Sequence, residues 1–277
     1  MPDIPPSPPP DSSTPMPTAA SGLPANTPPA SKRVHYVYRG EGTGWIQTII
    51  WAIGRTFLQF ISILCFQVRI TERENIPSKG AALLVTNHQS MLDPGLVGIA
   101  LKRQIHYMAR ETLFKGGFSQ YALERTNAFP VRRGRADTQA VREAIDRLGR
   151  GFLVNLFPEA TRSVDGTIGP IAAGVAIIVH RAKVPVIPVV IDGAFEAWPR
   201  GRKFFRHSNI RLLYGHPIAY TELANLSADD ISIRIRKEMI ALQRKLKSPH
   251  AAASQKRFEE DLRVGKKRLI VSRELSA

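Results

Sequence analysis

Cysteine is almost missing from this sequence: Cys65 is the only one in 277 residues. A disulfide framework and a thiol-rich metal site are therefore excluded, and a reducing compartment is expected. Acidic side chains are also scarce, with 23 Asp and Glu against 39 Lys and Arg, which leaves a formal charge of +16. A surface that basic attracts anions, whether nucleic acid, anionic lipid head groups or phosphorylated substrates, and charge alone does not separate them. The N-terminus has no basic start followed by an apolar core, so no secretory signal is expected. No internal repeat is present. Residues 1–34 have few large apolar side chains and hold most of the prolines (PDIPPSPPPDSSTPMP), a composition that cannot bury enough surface to offset its ordering entropy. They are expected to be a disordered tail, which leaves enough chain for one substantial α/β core.

One long apolar run stands out, residues 45–68 (WIQTIIWAIGRTFLQFISILCFQV). It is long enough to span a bilayer, but Arg55 near its middle makes a clean span costly by several kcal/mol. The expectation is a membrane-associating segment, an interfacial or re-entrant helix pair broken near Gly54-Arg55, with Trp45 and Trp51 at head-group level. The competing reading is a buried helix of an ordinary soluble core.

Beyond residue 68, strand and helix patterns alternate with short links, which predicts an α/β domain over 69–248 with a mixed central sheet flanked by helices. AALLVTN reads as a strand that runs into a polar turn, and Asp93-Pro94 as a helix start with Asp93 as N-cap. VPVIPVVI reads as a buried strand, although Pro185 and Pro188 argue for an edge or a bulge. The basic helix from Ser227 to Lys247 carries Ile231, Ile235, Met239, Leu242 and Leu246 on one side. That side is expected to pack on the core, with a second membrane foot as the alternative. Residues 249–277 are expected to be a basic C-terminal tail.

Candidate chemistry gathers at strand ends, where α/β sheets place their ligands. His88 and Asp93 are five residues apart, so they meet only if the chain turns between them. Such a turn would let the carboxylate orient one imidazole nitrogen and leave the other as a base. The plainer reading is a helix-capping Asp93 beside an ordinary turn histidine. Glu159, Thr161 and Arg162 follow the strand pattern FLVNL, and Arg132, Arg133 and Arg135 follow AFPV. A hydroxyl-activating dyad with arginine forks suits a phosphorylated alcohol; the bland reading of such charge runs is a solvated face.

Four stretches, NHQSMLD (87–93), AFPVRRG (128–134), FPEATRS (157–163) and VPVIPVVI (184–191), resemble the ordered blocks of the glycerolipid acyltransferases. The match looks nearest to the phosphatidate-forming 1-acylglycerol-3-phosphate acyltransferases, and it runs from about residue 45 to 218. The resemblance implies that His88 is the general base, Asp93 its orienting carboxylate, Arg133 a contact to the acceptor phosphate, and Glu159, Thr161 and Arg162 part of the acceptor site. Pro188 falls in a block associated with the acyl side or with structure. It further implies no metal and no cofactor, with acyl-CoA or acyl carrier protein as donor substrate and a lysophospholipid as acceptor. The expected place is the membrane lipid surface, at the inner or cytoplasmic membrane with the active site on the cytoplasmic face. This chain departs from the family pattern at Ala160, where glycine is usual, at Arg132, where an acid is common, and at Ile171-Ala172, where an aromatic-lysine pair is frequent.

Two other functions fit the residues: an acyltransferase for another lysolipid or amine lipid, and a non-enzymatic basic module that binds anionic membrane or RNA. Nucleic acid is not expected as a partner, because no aromatic platform interleaves with the arginine clusters around 132–135 and 162. The remaining histidines (His35, His106, His180, His207, His216 and His250) show no ligand spacing.

Overall fold

The computed structural model describes residues 45–274, except 115–116, 118–119, 122, 124–125 and 133–136; of side chains, 45–48, 50–51, 63 and 266–274 are likewise left out. The Pro-rich segment 1–34, the side chains of Trp45 and Trp51, and Arg133 with Arg135 lie outside the described residues.

The strands are β1 (Arg69–Thr71), β2 (Ala82–Thr86), β3 (Ile105–Arg110), β4 (Ala128–Val131), β5 (Leu153–Leu156), β6 (Val186–Asp192) and β7 (Arg211–Tyr214). The helices are α1 (Trp45–Cys65), α2 (Asp93–Ile99), α3 (Thr138–Gly149), α4 (Gly174–Ala182), α5 (Ala194–Ala197), α6 (Tyr220–Leu223), α7 (Ala228–Lys245) and α8 (Ala251–Glu274). Among the described residues the strands form one sheet in the order β1-β7-β6-β2-β5-β3-β4. Every pairing is parallel except β6 with β7, so the sheet is mixed and flanked by helices, as the alternating pattern predicts.

Both faces of the central strands are covered, which is why they read as unbroken apolar runs and not as alternations. Successive residues of β2 point to opposite faces. Leu83 and Val85 join a core with Ala144 and Leu148 of α3, Val175 and Val179 of α4, and Ile231 and Ile235 of α7. Ala82 and Leu84 join the other core, with Leu96 and Val97 of α2, Ala194 and Ala197 of α5, and Phe66 just after α1.

Three expectations are corrected. First, α1 is one helix with no break at Gly54-Arg55. Glycine weakens a helix by only about 1 kcal/mol, and nothing lies within 4 Å of the place where a Cβ on Gly54 would sit. Among the described residues no helix is long and apolar enough to cross a membrane. Second, of the edge and the bulge that the prolines suggested, the edge is wrong: β6 is central and fully buried with Pro188 inside it. The Pro188 carbonyl accepts the Gly215 N–H at 2.8 Å, one residue beyond the end of β7. Beyond it Val186 pairs with Ile218, one residue out of step with the β6–β7 register, so the missing proline donor falls at a bulge in the chain that follows β7. Third, the supposed tail from 249 onwards is largely helical, as α8.

The apolar side of α7 packs on the core, with Ile231, Ile235 and Met239 fully buried. Its buried Arg236 bonds Asp261 of α8 at 2.7 Å and the Ile168 carbonyl at 3.2 Å, and stacks over Phe258. Ser254 of α8 accepts the Ile168 N–H at 3.1 Å. These contacts make the first turns of α8 part of the domain. Phe258→Ala should therefore lower the unfolding free energy by about 3 kcal/mol. Denaturant titration checks this; a loosely attached tail would give a change near zero.

Candidate active site

The turn between β2 and α2 is clamped before any chemistry is considered. Asn87, the residue after β2, donates from Nδ2 to the Ile191 carbonyl at 2.9 Å and accepts the Ile191 N–H on Oδ1 at 2.8 Å. Its amide thus acts as one more rung against β6 at the point where β2 ends.

His88 and Asp93 do meet, with Nδ1 2.8 Å from Oδ2. Asp93 is not the N-cap; that position is Leu92, and Asp93 is the first residue of α2. Its carboxylate turns back into the preceding turn, where Oδ2 also accepts the N–H groups of Gln89 at 2.6 Å and Ser90 at 2.7 Å. The physical cause is burial: Asp93 is 0% exposed, and an ion that water cannot reach must find its donors within the protein. Because the carboxylate only accepts, His88 carries its proton on Nδ1 and keeps a lone pair on Nε2. The imidazole stacks on Phe157 with ring centres 4.3 Å apart.

The loop after β5 grips the backbone of the same histidine. Glu159 accepts the His88 N–H on Oε1 and the Gly169 N–H on Oε2, both at 3.2 Å. Ser163 N–H donates to the His88 carbonyl at 2.7 Å. Burial pushes the Glu159 carboxyl up to about 7, against the pull of these two backbone donors. Gly169 is needed for this closeness, since a Cβ there would stand 3.1 Å from Oε2. Ala160 lies between Glu159 and Thr161 with φ 57, a left-handed conformation that costs a non-glycine residue about 1–2 kcal/mol.

Glu159 therefore has internal partners for both oxygens. Thr161 is exposed and Arg162 half-buried, and neither has a hydrogen bond or ion pair among the described residues. Arg132 forks onto Glu111 from Nε at 3.1 and 3.2 Å. Gln89 and Ser90 were passed over in the sequence, yet both secure the turn: Gln89 Nε2 donates to the Gly166 carbonyl at 2.9 Å and Ser90 Oγ to the Trp198 carbonyl at 2.9 Å. Only their place inside NHQSMLD marked them.

His88 and Phe157 also form part of the wall of a cavity of about 360 Å³. Arg55 and Leu58 of α1, Gly95 and Gly98 of α2, and Tyr107 and Ala109 of β3 line it further. A Cβ on Gly98 would lie 2.5 Å from the Tyr107 hydroxyl, and one on Gly95 would lie 3.4 Å from Leu58. Glycine at both positions lets α2 sit close to its neighbours.

Residues 67–192 match the acyltransferase family. That stretch is an acyltransferase-family domain. A 1-acyl-sn-glycerol-3-phosphate acyltransferase of Bacillus subtilis is 27% identical over 59% of this chain and 79% of its own. The human 1-acyl-sn-glycerol-3-phosphate acyltransferase beta is 30% identical over 56% of this chain, which spans about half the length of that relative (56%). The crystal structure of the 1-acyl-sn-glycerophosphate acyltransferase PlsC from Thermotoga maritima superposes with a TM-score of 0.63, covering 73% of this chain and 82% of that one at 24% identity. The acyltransferase fold is thus shared.

Glu159 gives a pH test. Folding raises its pKa from 4.5 to about 7, so its stabilising contribution is complete below the unfolded value and is lost as pH rises through the folded one. The stability difference between wild type and Glu159→Gln should therefore drift by about 3 kcal/mol across that window. Urea titrations at several pH values measure it; parallel stability curves would refute the assignment.

Proposed function

We propose that this acyltransferase moves a fatty acyl group from a thioester donor, acyl-CoA or acyl carrier protein, to the free hydroxyl of a lysophosphatidate-like acceptor at a membrane surface. The observation that carries the proposal is the His88–Asp93 pair, 2.8 Å apart, with His88 in the wall of a largely apolar cavity. The names of the relatives support the choice of acceptor.

His88 Nε2 takes the proton of the acceptor hydroxyl as its oxygen attacks the thioester carbonyl. Asp93 holds the tautomer and stabilises the imidazolium that forms. The tetrahedral intermediate collapses with a new C–O bond and a broken C–S bond, and the imidazolium returns its proton to the leaving thiolate. Arg133 and Arg162 are assigned to the acceptor phosphate and Thr161 to the same acceptor site; Glu159 supports it by holding the His88 backbone. The acyl chain lies in the cavity between α1, α2 and β3. Transfer of this kind needs no metal or cofactor.

Membrane contact is assigned to α1. Ile49, Ile53, Phe57, Phe60 and Leu64 are all exposed, and at 100° per residue they fall within an arc of about 80°. The opposite side bears Gly54, Arg55 and Leu58, which line the cavity, and Gln59, which donates to the Ile99 carbonyl of α2. An amphipathic helix that shows its apolar stripe outwards suits the bilayer interface. The scarcity of cysteine supports the cytoplasmic face of the inner or cytoplasmic membrane.

His88→Ala should lower turnover by at least about a hundredfold while folding is retained. The measurement is mass spectrometry of products from purified protein, an acyl donor and a panel of lysophospholipids. Phosphatidic acid is the expected product; a different lipid alone would overturn the acceptor assignment, and no product from any acceptor would overturn the enzyme assignment. In the same assay Ala109→Phe should shift the product towards shorter acyl chains, because the ring occupies the cavity. An unchanged chain distribution would remove the acyl group from that cavity.

A further inference from the structure

The stretch Trp198–His207 (WPRGRKFFRH) follows α5 and contains four Arg or Lys, three aromatic residues and no acid. Phe204 is 80% exposed, and Arg200, Lys203 and Arg206 are exposed around it. The loop is nevertheless built to hold its shape. The Trp198 indole N–H donates to the Arg202 carbonyl at 2.9 Å, and the Arg206 N–H to the Ala197 carbonyl at 2.8 Å. Phe205 meets Phe66 edge to face at 5.4 Å.

Two seams tie this loop to parts with assigned roles. His207 Nδ1 lies 2.9 Å from the carbonyl of Cys65, the last residue of α1 and the neighbour of Leu64 in the exposed stripe. Ser90 of the His88 turn donates to the Trp198 carbonyl at 2.9 Å. A rigid loop that lifts one phenyl ring into water, surrounds it with cations and abuts an exposed apolar helix has the chemistry of an anionic lipid interface. The ring enters at head-group level while the cations meet lipid phosphates.

We propose that the Trp198–His207 loop is a second contact with an anionic bilayer, with Phe204 inserted and Arg200, Lys203 and Arg206 on lipid phosphates. The proposal rests on the membrane role of α1 and adds to it. One amphipathic helix sets the roll of the domain only as narrowly as the width of its apolar stripe, whereas two joined contacts fix more closely which side of the domain faces the lipid.

The test is flotation of the full chain with vesicles of pure phosphatidylcholine or of phosphatidylcholine with phosphatidylglycerol. The triple variant R200S/K203S/R206S should lose binding to the anionic vesicles by roughly fivefold per charge removed. Phe204→Ser should lower binding about tenfold. Both variants should keep the wild-type unfolding midpoint and the wild-type turnover of acceptor presented in detergent. An α1 variant, I53S/F57S, runs in parallel. Loop variants that float like wild type while the α1 variant detaches would overturn the loop contact and leave the helix assignment standing. Loop variants that lose affinity for a single-stranded RNA oligomer but not for vesicles would overturn it in favour of nucleic acid. Wild-type protein that floats with neither vesicle would overturn both membrane contacts.

Discussion

The Oδ2 atom of Asp93 accepts three hydrogen bonds, from the His88 ring and the N–H groups of Gln89 and Ser90, and much of the site's geometry depends on that convergence. A carboxylate with no exposure is held at the cost of its hydration, and charge-assisted bonds to it are the strong kind. Removing it would strand two backbone donors and an imidazole in a dry turn. The same interaction that sets the tautomer of the candidate base also shapes the loop that carries it, so chemistry and local folding are one unit here. Asn87 on one side and the Glu159–Ser163 loop on the other then hold that unit against β6 and the chain after β5.

Much of the architecture was legible because strands buried on both faces leave unbroken apolar runs, as in ALLVT and VIPVVID. The misjudged details share a cause. Whether Pro188 lies at an edge depends on where β7 stops, and whether Gly54 breaks α1 depends on what packs beside it; both are facts of tertiary structure. The helix at 251–274 was hidden for a similar reason. Its pattern is diluted by charge, and only Ala251, Ser254 and Phe258 of its first turns are deeply buried.

At the site, the spacing of His88 and Asp93 required a turn, and the structure supplies it. The sequence could not say which way the carboxylate would face, because helix capping and side-chain orientation both accept an aspartate before a proline. Burial decides between them, and burial is not written in a ten-residue window. Glu159 is similar: its place in FPEATRS marks it as important, while its bonds to His88 and Gly169 join residues 71 and 10 positions away.

The glycines of α2 give the cavity an asymmetry. Where its wall consists of Gly95 and Gly98, there is no side chain left to trim. Substitution at those two positions runs in one direction only, towards a smaller chamber or a displaced α1 and Tyr107. Enlargement has to come from the larger side chains of the wall, such as Leu58, Tyr107, Met108 and Leu113. The size of occupant that variants of this cavity could admit is therefore bounded differently from its two sides.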